Sequence, residues 1–121
     1  VLSINGDAGF LMNVQDIETA VRNKLNIVAM IWLDGEYGLI KWKQQNAFNG
    51  EHSELAFGNP DYEMFAKSFG AWGKTIKSAD ELKPALEEAF KQDGPAIIAV
   101  PVDYRENLKL TKRLGELEFT I

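Results

Sequence analysis

The 121-residue sequence contains no cysteine and a single histidine, His52. Without cysteine there can be no disulfide, no thiol nucleophile and no thiolate metal site. The absence fits a reducing cytoplasm, the expected compartment, although a chain without cysteine is allowed anywhere. Basic residues are in the minority: 13 Lys and Arg against 18 Asp and Glu give a net charge of −5. That balance argues against a large nucleic-acid footprint, which needs clustered Lys and Arg. Long hydrophobic runs are also missing. The longest uncharged apolar stretch, Ile27 to Leu33, is strand-sized, so no membrane span is expected. Val1-Leu2-Ser3-Ile4 has neither the basic region nor the cleavage pattern of a signal peptide. There is no initiator Met, and the sequence begins inside a strand pattern, which predicts a piece of a longer chain whose domain starts upstream.

What is present suffices for one ordered domain: 45% hydrophobic, 11% aromatic and 26% charged residues. Strand-like and helix-like segments alternate. Val1–Asn5 reads as a short strand ending at Gly6. Val14, Ile17, Ala20 and Val21 fall at helical spacing, predicting a helix from Asn13, its N-cap, to Lys24. Ile27–Leu33 is continuously apolar, as suits a parallel strand covered on both faces. A short helix over Leu39–Phe48 and a mobile loop over Asn49–Asn59 follow. Asn59-Pro60 predicts a cap and first turn for a helix carrying Tyr62, Phe65, Ala66 and Phe69, stopped by Gly70. Ala71–Ile76 is a weaker strand. Ser78-Ala79-Asp80-Glu81 has the form of a capping box for a helix through Lys91. Asp93-Gly94-Pro95 breaks that helix, and Ala96–Val102 is another buried-type strand. The order predicts an α/β fold, an open parallel sheet in three layers with helices on both faces. Residues 1–108 form the domain and 109–121 a charged tail, whose Lys109–Arg113 cluster is balanced by Glu106, Glu116 and Glu118 and reads as a solvated face.

Two carboxylates stand out. Gly6-Asp7-Ala8-Gly9 follows the first strand and, after a spacer of 24 residues from Ala8, Leu33-Asp34-Gly35-Glu36-Tyr37-Gly38 follows the second. Asp7 and Asp34 therefore lie at the same, carboxyl-terminal edge of the sheet, where open α/β folds bind phosphorylated ligands. Gly6 and Gly9 let backbone N–H groups approach phosphate oxygens, and the helix starting near Asn13 would add its positive end. An aspartate facing phosphate is repulsive unless a cation lies between them. Mg²⁺ takes hard oxygen ligands, often one or two carboxylates together with substrate phosphates. Asp7, Asp34 and a carbonyl of the Gly35-Glu36 turn could supply three. The plainer reading is that both aspartates are turn residues, with Asp7 capping a helix, and spacing alone favours it.

Gly6-Asp7-Ala8, this spacer and Leu33-Asp34 resemble the Gly-Asp-Gly … Asn-Asn fingerprint of the C-terminal, diphosphate-binding domain of thiamine-diphosphate enzymes. Within them the sequence is most similar to acetolactate synthases. Gly6 to Leu11, Gln15 to Arg22, Tyr37 to Ile40, Phe65 to Ala71, and Gly94-Pro95 through Val100 to Tyr104 carry the likeness. The resemblance implies thiamine diphosphate and Mg²⁺ as cofactors, with the Asp7 and Asp34 side chains and the Glu36 main-chain oxygen as metal ligands. It places Gly6, Ala8, Gly9, Tyr37, Gly38 and Leu39 along the diphosphate, and Lys43 where those synthases present a substrate-facing residue. Ala8 and the Leu33-Asp34 pair depart from the fingerprint; Asp34 keeps a ligand oxygen and adds a charge. The activity implied is decarboxylation of pyruvate and condensation with a second 2-oxo acid. The activating Glu would come from another domain across a homodimer or homotetramer interface, and any FAD would sit in a domain outside this segment. The alternatives are a sister 2-oxo acid decarboxylase, oxidase or carboligase, or a non-catalytic α/β module that binds a nucleotide or a protein partner. His52, Trp32, Trp42 and Trp72 read as surface or packing residues.

Overall fold

The structure, a computed structural model, describes residues 1–107 and residue 109. The expected tail and its basic cluster thus lie, apart from residue 109, outside the described residues. Among the described residues four parallel strands are formed: β1 (Leu2–Gly6), β2 (Val28–Leu33), β3 (Trp72–Thr75) and β4 (Ala96–Pro101), in the order β1-β2-β4-β3. The helices are α1 (Asp7–Leu11), α2 (Asp16–Arg22), α3 (Gly38–Ala47), α4 (Tyr62–Ser68) and α5 (Leu82–Ala89), with short 3₁₀ turns at Ala79–Glu81 and Tyr104–Glu106. Among the described residues no helix is long and apolar enough to cross a membrane.

Strand periodicity divides the core into two layers. Val28 pairs with Ala96 and Ala29 with Ile97, so alternate residues of β2 and β4 point to opposite faces. Ala29, Ile31, Ile97 and Ala99 pack with Ile17 of α2 and with Tyr62 and Ala66 of α4. Val28, Ala96 and Ile98 pack on the other face with Ala85 and Ala89 of α5 and with Ile76. The result is the three-layer arrangement that the alternation implies, and it explains why β2 and β4 are continuously apolar: both faces are covered. At Gly73 the sheet and α4 meet so closely that an added Cβ would lie 2.7 Å from Ala66 Cβ and 3.1 Å from the Tyr62 carbonyl oxygen.

Local structure departs from the sequence pattern at three helix starts. The segment after β1 is not one helix from Asn13: a single turn and a half, α1, begins directly at Asp7, and α2 begins at Asp16 without a side-chain cap. α4 is capped by Asp61, not Asn59; the Asp61 carboxylate accepts from the N–H groups of Glu63 and Met64 at 2.9 and 3.0 Å. An aspartate adjacent to the helix satisfies two free N–H groups, so it prevails over an asparagine two positions earlier. Ser78 makes no side-chain cap, and Glu81 instead accepts from the Lys77 N–H at 3.2 Å.

Candidate functional site

Because the strands are parallel, their carboxyl ends share one edge, and the chain leaving β1, β2 and β4 meets there. Asp7, Asp34 and the Val102-Asp103 segment all border a single cleft of about 980 Å³. The same cleft is bordered by Gly6, Ala8, Gly9, Glu36, Tyr37, Gly38 and Leu39. It thus gathers the metal and diphosphate residues named from the sequence, though they come from the end of β1, from one loop and from two helices. Lys43 is not among them. It is exposed on α3 and does not border the cleft. Lys41, Trp42 and Gln45 of the same helix do. At 3.6 residues per turn, Lys43 lies about 200° around the helix from Lys41, which puts it on a different side.

Asp7 is the one buried charged residue among those described, 2% exposed. Its carboxylate accepts four hydrogen bonds. The Ala8 N–H donates to Oδ1 at 2.8 Å. Oδ2 takes the N–H groups of Asp34 at 3.2 Å and Gly35 at 2.8 Å, and the Asn59 side-chain amide at 2.6 Å. Burial alone pushes this carboxyl up; the Asn59 amide and the N–H groups of Gly35, Ala8 and Asp34 outweigh it and hold its pKa below the ordinary carboxylate value. Asp34 shifts the opposite way. Burial pushes it up, the Glu36 N–H pulls it down, and the charges of Asp7 and Glu36 add to the rise. Tyr104 is raised by burial and then by the same two aspartates. Two carboxylates share a wall of the cleft, and among the described residues no cationic side chain is paired with either. Lys41 is paired with Glu36 and Arg105 with Asp103.

This donor set fits a hard divalent cation. The oxygens available are Asp7 Oδ1, which holds only the Ala8 N–H, the Asp34 carboxylate, whose Oδ1 accepts the Glu36 N–H at a long 3.4 Å, and the Glu36 carbonyl. That carbonyl accepts the Gly38 N–H at 3.0 Å, which leaves its second lone pair. Among the described residues no three acidic or histidine side chains cluster as a ready metal site, so the shell would be completed by neutral oxygens, such as water, or by phosphate. The cleft also suits an anion. α3 begins at its rim with no side-chain cap, and the Leu39 and Ile40 N–H groups take no acceptor among the described residues. An added Cβ at Gly6 or Gly9 would meet no protein atom within 4 Å, so the space beside them is open. The helix end at the cleft is therefore that of α3, together with the start of α1, and not the one expected near Asn13; no residue of α2 borders it.

Several cleft residues went unnamed in the sequence. Val102 to Arg105 could have been found by the rule that located Asp7 and Asp34, since they too follow a strand of the same sheet. Lys41 and Gln45 share a helix face at a spacing of four. Asn59, behind Asp7 and outside the cleft lining, was legible only as a helix cap; it reaches Asp7 across 52 residues of sequence. His52 is exposed and stands apart from the cleft, beside Gln44, Phe48, Glu51 and Ser53. Trp72 packs against the α5 core, and Trp32 lies against Tyr104 with ring centroids 6.3 Å apart.

The sequence matches the family described as "Thiamine pyrophosphate enzyme, C-terminal TPP binding domain" over residues 1–100. It is 41% identical over 114 residues to a catabolic acetolactate synthase of Raoultella terrigena, covering 94% of this chain and 20% of that protein. It is 42% identical over 122 residues to an acetolactate synthase of Bacillus subtilis (strain 168), covering 97% of this chain and 21% of that protein. The chain thus spans about a fifth of the length of these curated relatives. Its fold is similar to the crystal structure of benzoylformate decarboxylase from Polynucleobacter necessarius, with a TM-score of 0.78 and 29% identity over 84% of this chain and 19% of that one. Two aspartates that turn chemistry alone could explain thus stand within a known cofactor-binding fold, and the chain belongs to the thiamine pyrophosphate enzymes through their C-terminal cofactor-binding domain.

Proposed function

We propose that this segment anchors thiamine diphosphate through Mg²⁺ in an acetolactate synthase-like enzyme, one that decarboxylates pyruvate and joins the product to a second 2-oxo acid. The observation that carries the reading is the pair of carboxylates, Asp7 and Asp34, on one wall of the cleft, with no cationic partner among the described residues. Asp7 Oδ1, the Asp34 carboxylate and the Glu36 carbonyl would hold the metal. The Leu39 and Ile40 N–H groups would meet diphosphate oxygens, with Gly6, Ala8, Gly9, Tyr37 and Gly38 lining the channel. The chemistry such a cofactor supplies when bound is an electron sink for the electron pair released on decarboxylation. The segment's own residues bind and orient; the reaction needs groups from elsewhere.

The apolar rim supports that division. Leu39 is 65% and Ile40 48% exposed, although both border the cleft. Such side chains suit burial against another domain, which would close the cleft and exclude water in a homodimer or homotetramer. The likeness to acetolactate synthases favours pyruvate over other 2-oxo acids, while the likeness to a benzoylformate decarboxylase keeps simple decarboxylation as the second reading. The substrate-facing role expected of Lys43 would require substrate to approach from outside the cleft. The test is product analysis of the full-length protein with pyruvate, thiamine diphosphate and Mg²⁺. Acetolactate is expected; an aldehyde as sole product would favour the decarboxylase, and no turnover of any 2-oxo acid would overturn both.

A further inference from the structure

We propose that Asn59 is a positioning residue that dictates which oxygen of Asp7 faces the cation, an inference resting on the Mg²⁺–diphosphate reading of the cleft. Asn59 Nδ2 donates to Asp7 Oδ2 at 2.6 Å, while its Oδ1 accepts the Tyr62 hydroxyl at 3.0 Å. The orientation of the amide is determined chemically: an ionised carboxylate only accepts hydrogen bonds, so the NH₂ group must face Asp7. Tyr62 is 2% exposed and wedged edge-on against Phe10, ring centroids 5.9 Å apart. The amide is therefore held from behind by a side chain that is part of the core.

The consequence is an asymmetric carboxylate. Oδ2 is saturated by three N–H donors, from Asp34, Gly35 and Asn59. Oδ1 carries one, from Ala8, and keeps a lone pair for a ligand. Without Asn59, Oδ2 regains acceptor capacity and the carboxylate is free to turn. The segment that delivers Asn59 also braces the other half of the site. Phe57 N–H donates to the Gly35 carbonyl at 2.9 Å and Leu55 accepts from the Tyr37 N–H at 3.0 Å. Residues 55–59 thus strap the Gly35–Tyr37 turn and the Asp7 carboxylate to one another. Partners that orient a ligand in this way are worth about 10- to 100-fold in metal affinity when removed.

The probe is Mn²⁺, followed by the electron paramagnetic resonance of the free ion, with full-length wild-type protein, Asp7→Ala, Asn59→Ala and Asn59→Ser. Melting of each metal-free protein is recorded alongside. The expected result is an affinity at least about tenfold weaker in both Asn59 variants, which still fold and melt cooperatively without metal, at a temperature lowered by the lost hydrogen bonds to Asp7 and Tyr62. High Mn²⁺ should restore thiamine diphosphate binding to Asn59→Ala but not to Asp7→Ala. Unchanged Mn²⁺ affinity in the Asn59 variants, beside a loss in Asp7→Ala, would overturn the role of Asn59 and leave the metal site standing. So would failure of both Asn59 variants to fold, since Asn59 would then be a requirement of the fold. Absence of Mn²⁺ binding by the wild type, or unaltered binding by Asp7→Ala, would overturn the metal site and this inference with it.

Discussion

Helices α3 and α5 belong to the same domain and are held by different means. α5 buries Ala85 and Ala89 completely against Val28, Ala96 and Ile98, so small side chains let it lie close on the sheet. α3 has no buried residue at all, and Leu39 and Ile40 are exposed. Its attachments are polar: the Glu36–Lys41 ion pair at its start, beside the bridge between Glu36 and Ala56, and a pair of hydrogen bonds between the Gln44 side chain and the Ser53 backbone. One helix closes the hydrophobic core, and the other presents its first turn to a cleft. Stability and ligand binding are therefore separable in this domain: substitutions under α5 should unfold it, while substitutions along α3 should change what it holds.

The largest effect on stability is expected from the core side of this comparison. Ile98→Ala, at a fully buried position facing α5, should cost about 2–5 kcal/mol in denaturant unfolding. Gly73→Ala should follow at about 1–3 kcal/mol, because the added methyl meets Ala66 Cβ and the backbone of Glu63 and Tyr62 where neither can yield freely. Ile40→Ala on α3 should move unfolding by no more than about 0.5 kcal/mol. If Ile40→Ala destabilised the protein as much as Ile98→Ala, the separation of the two helices into core and cleft roles would fail. A finer test uses pH. Burial, and then the charge of Asp7, raise the Tyr62 phenol from 10.0 to about 12. Its folded pKa lies above the unfolded one, so its contribution to stability is complete below pH 10 and is lost as pH rises towards 12. Spectrophotometric titration should show one tyrosine ionising last, and Tyr62→Phe should remove that component.

The parts of this molecule legible in the sequence are those governed by short-range pattern. β2 and β4 announce themselves as apolar runs because both faces of each are covered. The spacing also predicts a core stripe of Leu82, Leu86, Ala89 and Phe90 for α5; the first three pack on the core, whereas Phe90, just past the helix end, stays exposed. Asp7 and Asp34 could be placed at a common edge because parallel strands align their carboxyl ends. Chemistry at that edge needed more than spacing, since turns use the same residues. What stayed hidden depends on contacts between segments far apart in the chain. Asn59 has the composition of a helix cap and is drawn instead to a buried carboxylate, with Asp61 taking the cap. α1 is too short to carry a helical period. The rule that places Asp7 and Asp34 also puts Val102–Arg105 at the carboxyl edge, and the position of β4 beside β2 brings that segment to the same cleft.

The central claim is that Asp7 and Asp34 hold a cation that in turn holds a diphosphate. Isothermal titration of thiamine diphosphate into the full-length protein, with and without Mg²⁺, tests it most directly. Binding should require Mg²⁺ in the wild type and be abolished in Asp7→Ala and severely weakened in Asp34→Ala. Metal-independent binding, or binding unchanged in both variants, would contradict it.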